Sequence, residues 1–152
     1  MRSRTGARYA AVQALYQSDQ TGETVETVLD QFVRHRIGKP ELEDGAVPAA
    51  DVPLFARILR TAATQQDTVD RLIAGHLAEG WPLHRLDPVL RALLRAGTAE
   101  LHMTDGPPAR VVISEYLDIA HGFFGGDEPK LANAVLDRIA RILRPAEFAP
   151  AS

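Results

Sequence analysis

TVETVLDQFV, residues 24–33, places Val25, Val28, Leu29, Phe32 and Val33 at i, i+3, i+4, i+7 and i+8. At about 100° per residue these side chains share one face and the polar ones take the other, which is the pattern of an amphipathic helix and not of a strand. Gly22 before the stretch and Gly38 after it are its natural stops.

Working outward, the same periodicity recurs. In the segment before it, Ala11, Val12, Leu15 and Tyr16 form a stripe, and the small residues of AAVQAL favour helix. Residues 38–50, GKPELEDGAVPAA, have no period and read as a surface loop. Asp51 is a candidate N-cap with Pro53 tolerated in the first turn, and Leu54, Ile58, Ala62, Val69, Leu72, Ile73 and Leu77 continue a stripe that TQQDT kinks or breaks. WPLHRLDP punctuates the midpoint, with Trp81 read as a core or hinge residue. Asp87 and Pro88 then open a helix with Val89, Leu90, Leu93, Leu94 and Leu101 inward and Gly97 marking a close helix approach. After TDGPP, Ile113, Tyr116, Leu117, Ala120 and Phe124 form one stripe that Val112, Ile119 and Phe123 widen, so this helix should be surrounded by others. Leu131, Val135, Leu136, Ile139, Ile142 and Leu143 line the last helix, which Pro145 closes. No stretch alternates strictly between hairpin turns. The expectation is an all-α fold of about seven helices, one domain over residues 1–152, in two packed sub-bundles of about 1–80 and 81–145.

The chain has 152 residues and a formal charge of -3, too few cations for a general polyanion binder, so any nucleic-acid contact must be local. It has no cysteine, which removes disulfides, thiolate metal sites and thiol nucleophiles, and a cytoplasmic setting is the simplest expectation. The start lacks the apolar run of a signal peptide, and no stretch reaches membrane-spanning length. The five histidines never fall at helical ligand spacing, so no metal site is expected. No nucleophile elbow, phosphate loop or dinucleotide fingerprint is present, and the glycines of FFGGDEPK are explained by a helix end followed by a new start. The chain reads as a binding protein with neither catalytic residues nor cofactor.

The opening segment, RSRTGARYAAVQALYQSD (residues 2–19), is the unusual one: three arginines and no carboxylate before Asp19. Arg4 and Arg8 fall within about 20° of Leu15 on the helical wheel, as though the helix ran past the end of the core. Cations at a helix N-terminus oppose the macrodipole, so helix stability alone does not select them. A phosphate would, and Tyr9 and Tyr16 on the neighbouring edge are suited to stack on unpaired bases. A frayed basic tail with no ligand explains the composition equally well. Arg91 and Arg95, at i and i+4, read as a solvated face or as an extension of such a surface.

ARYAAVQALYQSD resembles the opening helix, R-x-x-A-V-Q-A-L-Y, of the NusB transcription antitermination family. LLRAGTAEL, PPARVVISEYLDIAHGF and KLANAVLDRIARILRP resemble its later segments in the right order over nearly the whole chain. The resemblance implies an RNA-binding adaptor that pairs with the small-subunit ribosomal protein NusE. Together they recognise single-stranded boxA RNA, chiefly in ribosomal RNA leaders, and help RNA polymerase read through terminators. It also implies RNA contacts from Arg4, Arg8, Tyr16, Asp127 and Lys130, with Arg2 and Gln13 as neighbours. The chain departs from the family pattern at Thr5 and Gly6, which thin the arginine arm, and at Ala99, Ser114, His121 and Leu131. Two other readings stand beside this one. A protein-only helical scaffold would set the arginines against acidic protein. A stand-alone relative of the N-terminal domain of ribosomal RNA cytosine methyltransferases would lack both the cofactor domain and the cysteine nucleophile here. The self-association state, monomer or homodimer, stays open.

Overall fold

The computed structural model describes residues 3–37, 50–78 and 81–150. Among these residues the chain forms seven α-helices and no β-strand: α1 (Ser3–Thr21), α2 (Val25–His35), α3 (Val52–Thr64), α4 (Gln66–Ala74), α5 (Pro88–His102), α6 (Ala109–Phe123) and α7 (Glu128–Leu143). Short 3-10 turns at Leu83–Arg85 and Pro145–Phe148 precede α5 and follow α7. No described helix is long and apolar enough to cross a membrane.

The boundaries follow local chemistry. Gly22 adopts φ +76, a left-handed turn, and its N–H donates to the Ser18 carbonyl at 3.0 Å to end α1. The side-chain oxygens of Thr24, Asp51 and Asp87 accept from backbone N–H groups in the first turns of α2, α3 and α5. The stripe over residues 52–74 breaks at Gln65, inside the polar run that signalled it. Helix α2 stops at His35, where the Arg36 and Ile37 N–H groups both reach the Phe32 carbonyl at 2.9 Å. Gly38 and the loop read after it lie outside the described residues, apart from Ala50.

Helix α5 is the axis of the molecule. It packs against α1, α3, α4, α6 and α7, and Leu90 to Leu94 and Ala96 to Leu101 are all buried. Helices α1, α2 and α3 contact one another on one side and α6 packs on α7 on the other, with α1 and α3 reaching α5 to make one continuous core. Close approach has a sequence cause: α1 presents Gly6, Ala7, Ala10, Ala11 and Ala14 inward. At Gly97 a Cβ would stand 3.0 Å from Leu136 Cδ2 and 3.5 Å from Tyr116 Cδ2. The expected inward stripes overreach at Tyr16, Val33, Phe123 and Ile142, and the core reading overreaches at Trp81. Val33 and Ile142 are exposed, and Trp81 is 58 % exposed, so it is not a core residue.

Candidate functional site

Helix α1 changes character along its length. In its first turns Arg8 is 2 % exposed and sits inside the core. Its Nε and Nη2 each donate to Glu100 of α5 at 2.8 Å, and its Nη1 donates to Glu115 of α6 at 2.9 Å. The Tyr116 hydroxyl donates to Glu100 at 3.0 Å and the Thr5 hydroxyl to Glu115 at 3.2 Å. Burial, the largest single influence, lowers the Arg8 pKa, but the hydrogen bond and charge of Glu100 together with Tyr116 and Glu115 outweigh it, so the net shift is upward and the guanidinium stays charged. Burial pushes the Tyr116 hydroxyl well above its ordinary value, keeping it a neutral donor. The expectation that Arg8 faces RNA is therefore corrected. This guanidinium is a three-helix clamp, and the helix does not run past the core at this point.

Arg91 and Arg95 are corrected in the same way. Arg91 donates through Nε and Nη2 to Asp19 at 3.0 and 2.6 Å, and its Nη1 reaches the His84 carbonyl at 3.2 Å. Arg95 grips Asp70 of α4 at 2.8 and 3.0 Å. Neither stands on a solvated ridge, and Arg95 borders a polar depression with Asp19 and Glu23. A third buried guanidinium, Arg144, closes the C-terminal end of α5 by donating to the carbonyls of Glu100, Leu101 and Met103.

Further along α1 the surface opens. Val12, Gln13, Tyr16, Gln17, Gln20 and Thr21 form one wall of a groove of about 440 Å³, and Arg36, Val89 and Phe123 form the other. Tyr16 is 38 % exposed here. Phe123 is exposed as well, and its ring stacks on Tyr9 with centroids 5.6 Å apart and planes 5° from parallel. Arg36 lies over the Phe32 ring at 4.2 Å, and burial holds its pKa below the ordinary value, with Tyr9 acting in the opposite sense. An open aromatic flanked by amides and a guanidinium suits flat, polar-edged ligands.

The other sequence-predicted residues lie elsewhere. Arg4 is exposed and lines a separate depression with Asp51, Arg57 and Asp105. Twelve residues of helix place it about 18 Å along α1 and about 120° around from Tyr16. Arg2 lies outside the described residues. Asp127 and Lys130 are exposed at the start of α7, where Asp127 borders an apolar depression with Trp81, Leu86, Leu90 and Leu131. The first turn of α5 separates that depression from the Tyr16 groove, because Val89 lines one and Asp87 and Leu90 line the other. Sequence reasoning did not assign Phe123 or Arg36 to the site. Phe123 carried the signal of a second apolar side on its helix, whereas Arg36 carried none, being placed by the end of α2.

The fold and groove define a helical protein that presents an open aromatic and amide surface. The chain belongs to the NusB family, whose model matches residues 5–141. It is 59 % identical over 152 residues to the transcription antitermination protein NusB of Granulibacter bethesdensis, covering 97 % of this chain and 93 % of that one. With the protein of the same name from Gluconobacter oxydans it shares 54 % identity over 142 residues, covering 92 % and 88 %. T. maritima NusB superposes with a TM-score of 0.77 at 28 % identity, over 97 % of this chain and 99 % of that one. A structure of the antitermination factors NusB and NusE in complex with double-stranded RNA matches at 0.75 and 26 % identity, over 93 % and 98 %.

Proposed function

We propose that this protein is an RNA-binding antitermination adaptor. Paired with NusE, it holds boxA-type single-stranded RNA, especially in ribosomal RNA leaders, and promotes read-through by RNA polymerase without catalysing a reaction itself. Family membership and the similarity to a NusB chain bound to NusE and RNA support the reading. The observation that carries it is Tyr16, an aromatic ring left open on a helix that buries the neighbouring Val12 and Leu15. A ring so placed offers a stacking platform to an unpaired base.

Electrostatics explain the need for a partner. With Arg8 committed to Glu100 and Glu115, the predicted phosphate contacts among the described residues reduce to Arg4 and Lys130. Each phosphate contact on a single strand contributes about 0.7 to the logarithmic salt slope, so two give a slope of only about 1.4. RNA affinity then depends on surface that NusE adds.

The test is a mobility-shift comparison of matching and scrambled boxA-type RNA, with and without NusE. Tighter binding of the matching RNA, strengthened by NusE, is expected. Equal binding of both RNAs in the presence of NusE would overturn the proposal.

A further inference from the structure

The inner face of α1 is made of small residues. Gly6, Ala10 and Ala14 form one row and Ala7 and Ala11 another, each stepping by four residues, and all five are buried. Rows of this kind superpose on themselves when the helix slides by four residues, about 6 Å along its axis. Burial of apolar surface is non-directional, so the rows fix how closely α1 approaches its neighbours and not where along them it stops. Val12 and Leu15 are the larger apolar side chains buried beside them.

Charge supplies what the rows lack. Helix α1 makes its most extensive packing against α5, and the pair carries a charged cluster at each end. At one end Arg8 of α1 meets Glu100 of α5 and Glu115 of α6. At the other, Asp19 of α1 accepts from Arg91 of α5 at 2.6 Å and lies 3.5 Å from Arg95. Residues 8 and 19 are about 16 Å apart along α1, and residues 91 and 100 about 14 Å apart along α5. Each helix carries its cation first and its carboxylate last, so antiparallel packing in this register sets unlike charges together. Parallel packing would face Arg8 with Arg91 and Asp19 with Glu100, and one turn of slip would leave Arg8 and Glu100 buried apart.

We propose that these two clusters are a register lock: they select the direction and lengthwise position of α1 against α5 and α6, on a face whose small residues would accept others. Desolvation offsets most of the attraction in a buried ion pair, so such pairs add little net stability over apolar residues of similar volume, and choosing between alternative packings is their best-attested use. Either cluster suffices alone. What the lock secures is the groove, since one turn of slip would carry Tyr16 about 6 Å along from Val89 and Phe123 on the facing wall. The inference concerns how the chain chooses its packing and stands whether or not the groove takes RNA.

The test removes the clusters in turn from the full chain and follows α1 by nuclear magnetic resonance. Arg8→Met/Glu100→Met/Tyr116→Phe makes the first cluster apolar and leaves the part-exposed Glu115 to Thr5 and solvent. Its urea midpoint is expected to recover most of what Arg8→Met alone loses, because Glu100 is no longer buried without its guanidinium. One set of α1 resonances and the Tyr9–Phe123 ring contact should persist, since Asp19 still holds Arg91. Adding Asp19→Ala removes the second cluster and strands no charge, as Arg91 keeps the His84 carbonyl and Arg95 keeps Asp70. This variant is expected to unfold cooperatively and yet show a second set of α1 signals, or exchange broadening confined to α1 and the residues facing it, with the Tyr9–Phe123 contact weakened. Three results would overturn the inference: a single wild-type set of signals with both clusters gone, a first variant as unstable as Arg8→Met, or a second variant that no longer folds. The last two mean that the charges hold the core together and do not choose among packings.

Discussion

The two ends of α1 use similar residue types for opposite ends. Near its start a guanidinium, Arg8, and a hydroxyl, Thr5, turn inward and are matched by Glu100, Glu115 and Tyr116 from two other helices. One and a half to two turns later Gln13 and Tyr16 belong to an open groove, and the Gln13 amide oxygen accepts no hydrogen bond among the described residues. The first region is saturated with hydrogen bonds and the second is short of them. A charged residue on an apolar stripe thus marks a ligand site only if the fold brings it no counter-charge.

The largest expected effect breaks the comparison at its buried end. Arg8→Met leaves the Glu100 carboxylate inside the core with only the Tyr116 hydroxyl, and removing one partner of such a pair typically costs about 3–5 kcal/mol. Urea unfolding should show that loss, and RNA affinity per folded molecule should not change. Tyr16→Ala is the mirror image. Loss of a stacked base is worth about 1–3 kcal/mol, or about 5- to 150-fold in RNA affinity by titration, with little change in unfolding midpoint because the ring is partly exposed. Gly97→Ala presses on Leu136 of α7, while Tyr116, the donor to Glu100, stays at ordinary contact distance, so the buried cluster itself is left in place. Overpacking outweighs the helix propensity gained, for a net loss of about 1 kcal/mol by thermal unfolding.

The smallest effect concerns pH. The hydrogen bond from Arg60 holds Glu26 below the ordinary carboxylate value, and the one from Arg57 does the same for Asp105. The folded pKa values lie below the unfolded ones, so this stabilisation is present above the unfolded carboxylate pKa and is lost as pH falls through the folded values. Both groups are exposed, so the acid slope of stability should be shallow and should flatten further in Arg60→Gln.

Much of the fold was legible because it rests on local periodicity. The stripe of residues 24–33, the caps at Asp51 and Asp87, the break near Gln65 and the close approach at Gly97 depend on neighbours in sequence or on one helix contact. Val33, Ile142 and Trp81 show the limit, since periodicity reports a face but not whether another helix covers it. The site was less legible. Tyr16 shares a helix face with Val12 and Leu15 as the periodicity placed it, yet its ring is open where their side chains are buried. Arg8 was on the expected face of its helix, yet its counter-charges come from positions 92 and 107 residues away, and no local pattern announces them. Arg91 finds Asp19 at a separation of 72 residues for the same reason.

The division of α1 into a structural end and a ligand end is tested most directly by following backbone amide resonances of the full chain during titration with boxA-type RNA. The account predicts that shifts concentrate at Gln13, Tyr16, Gln17, Gln20 and Phe123 and leave Arg8, Glu100 and Glu115 unmoved. Shifts gathered around Arg4, Arg8 and Arg57, with the Tyr16 groove silent, would contradict it.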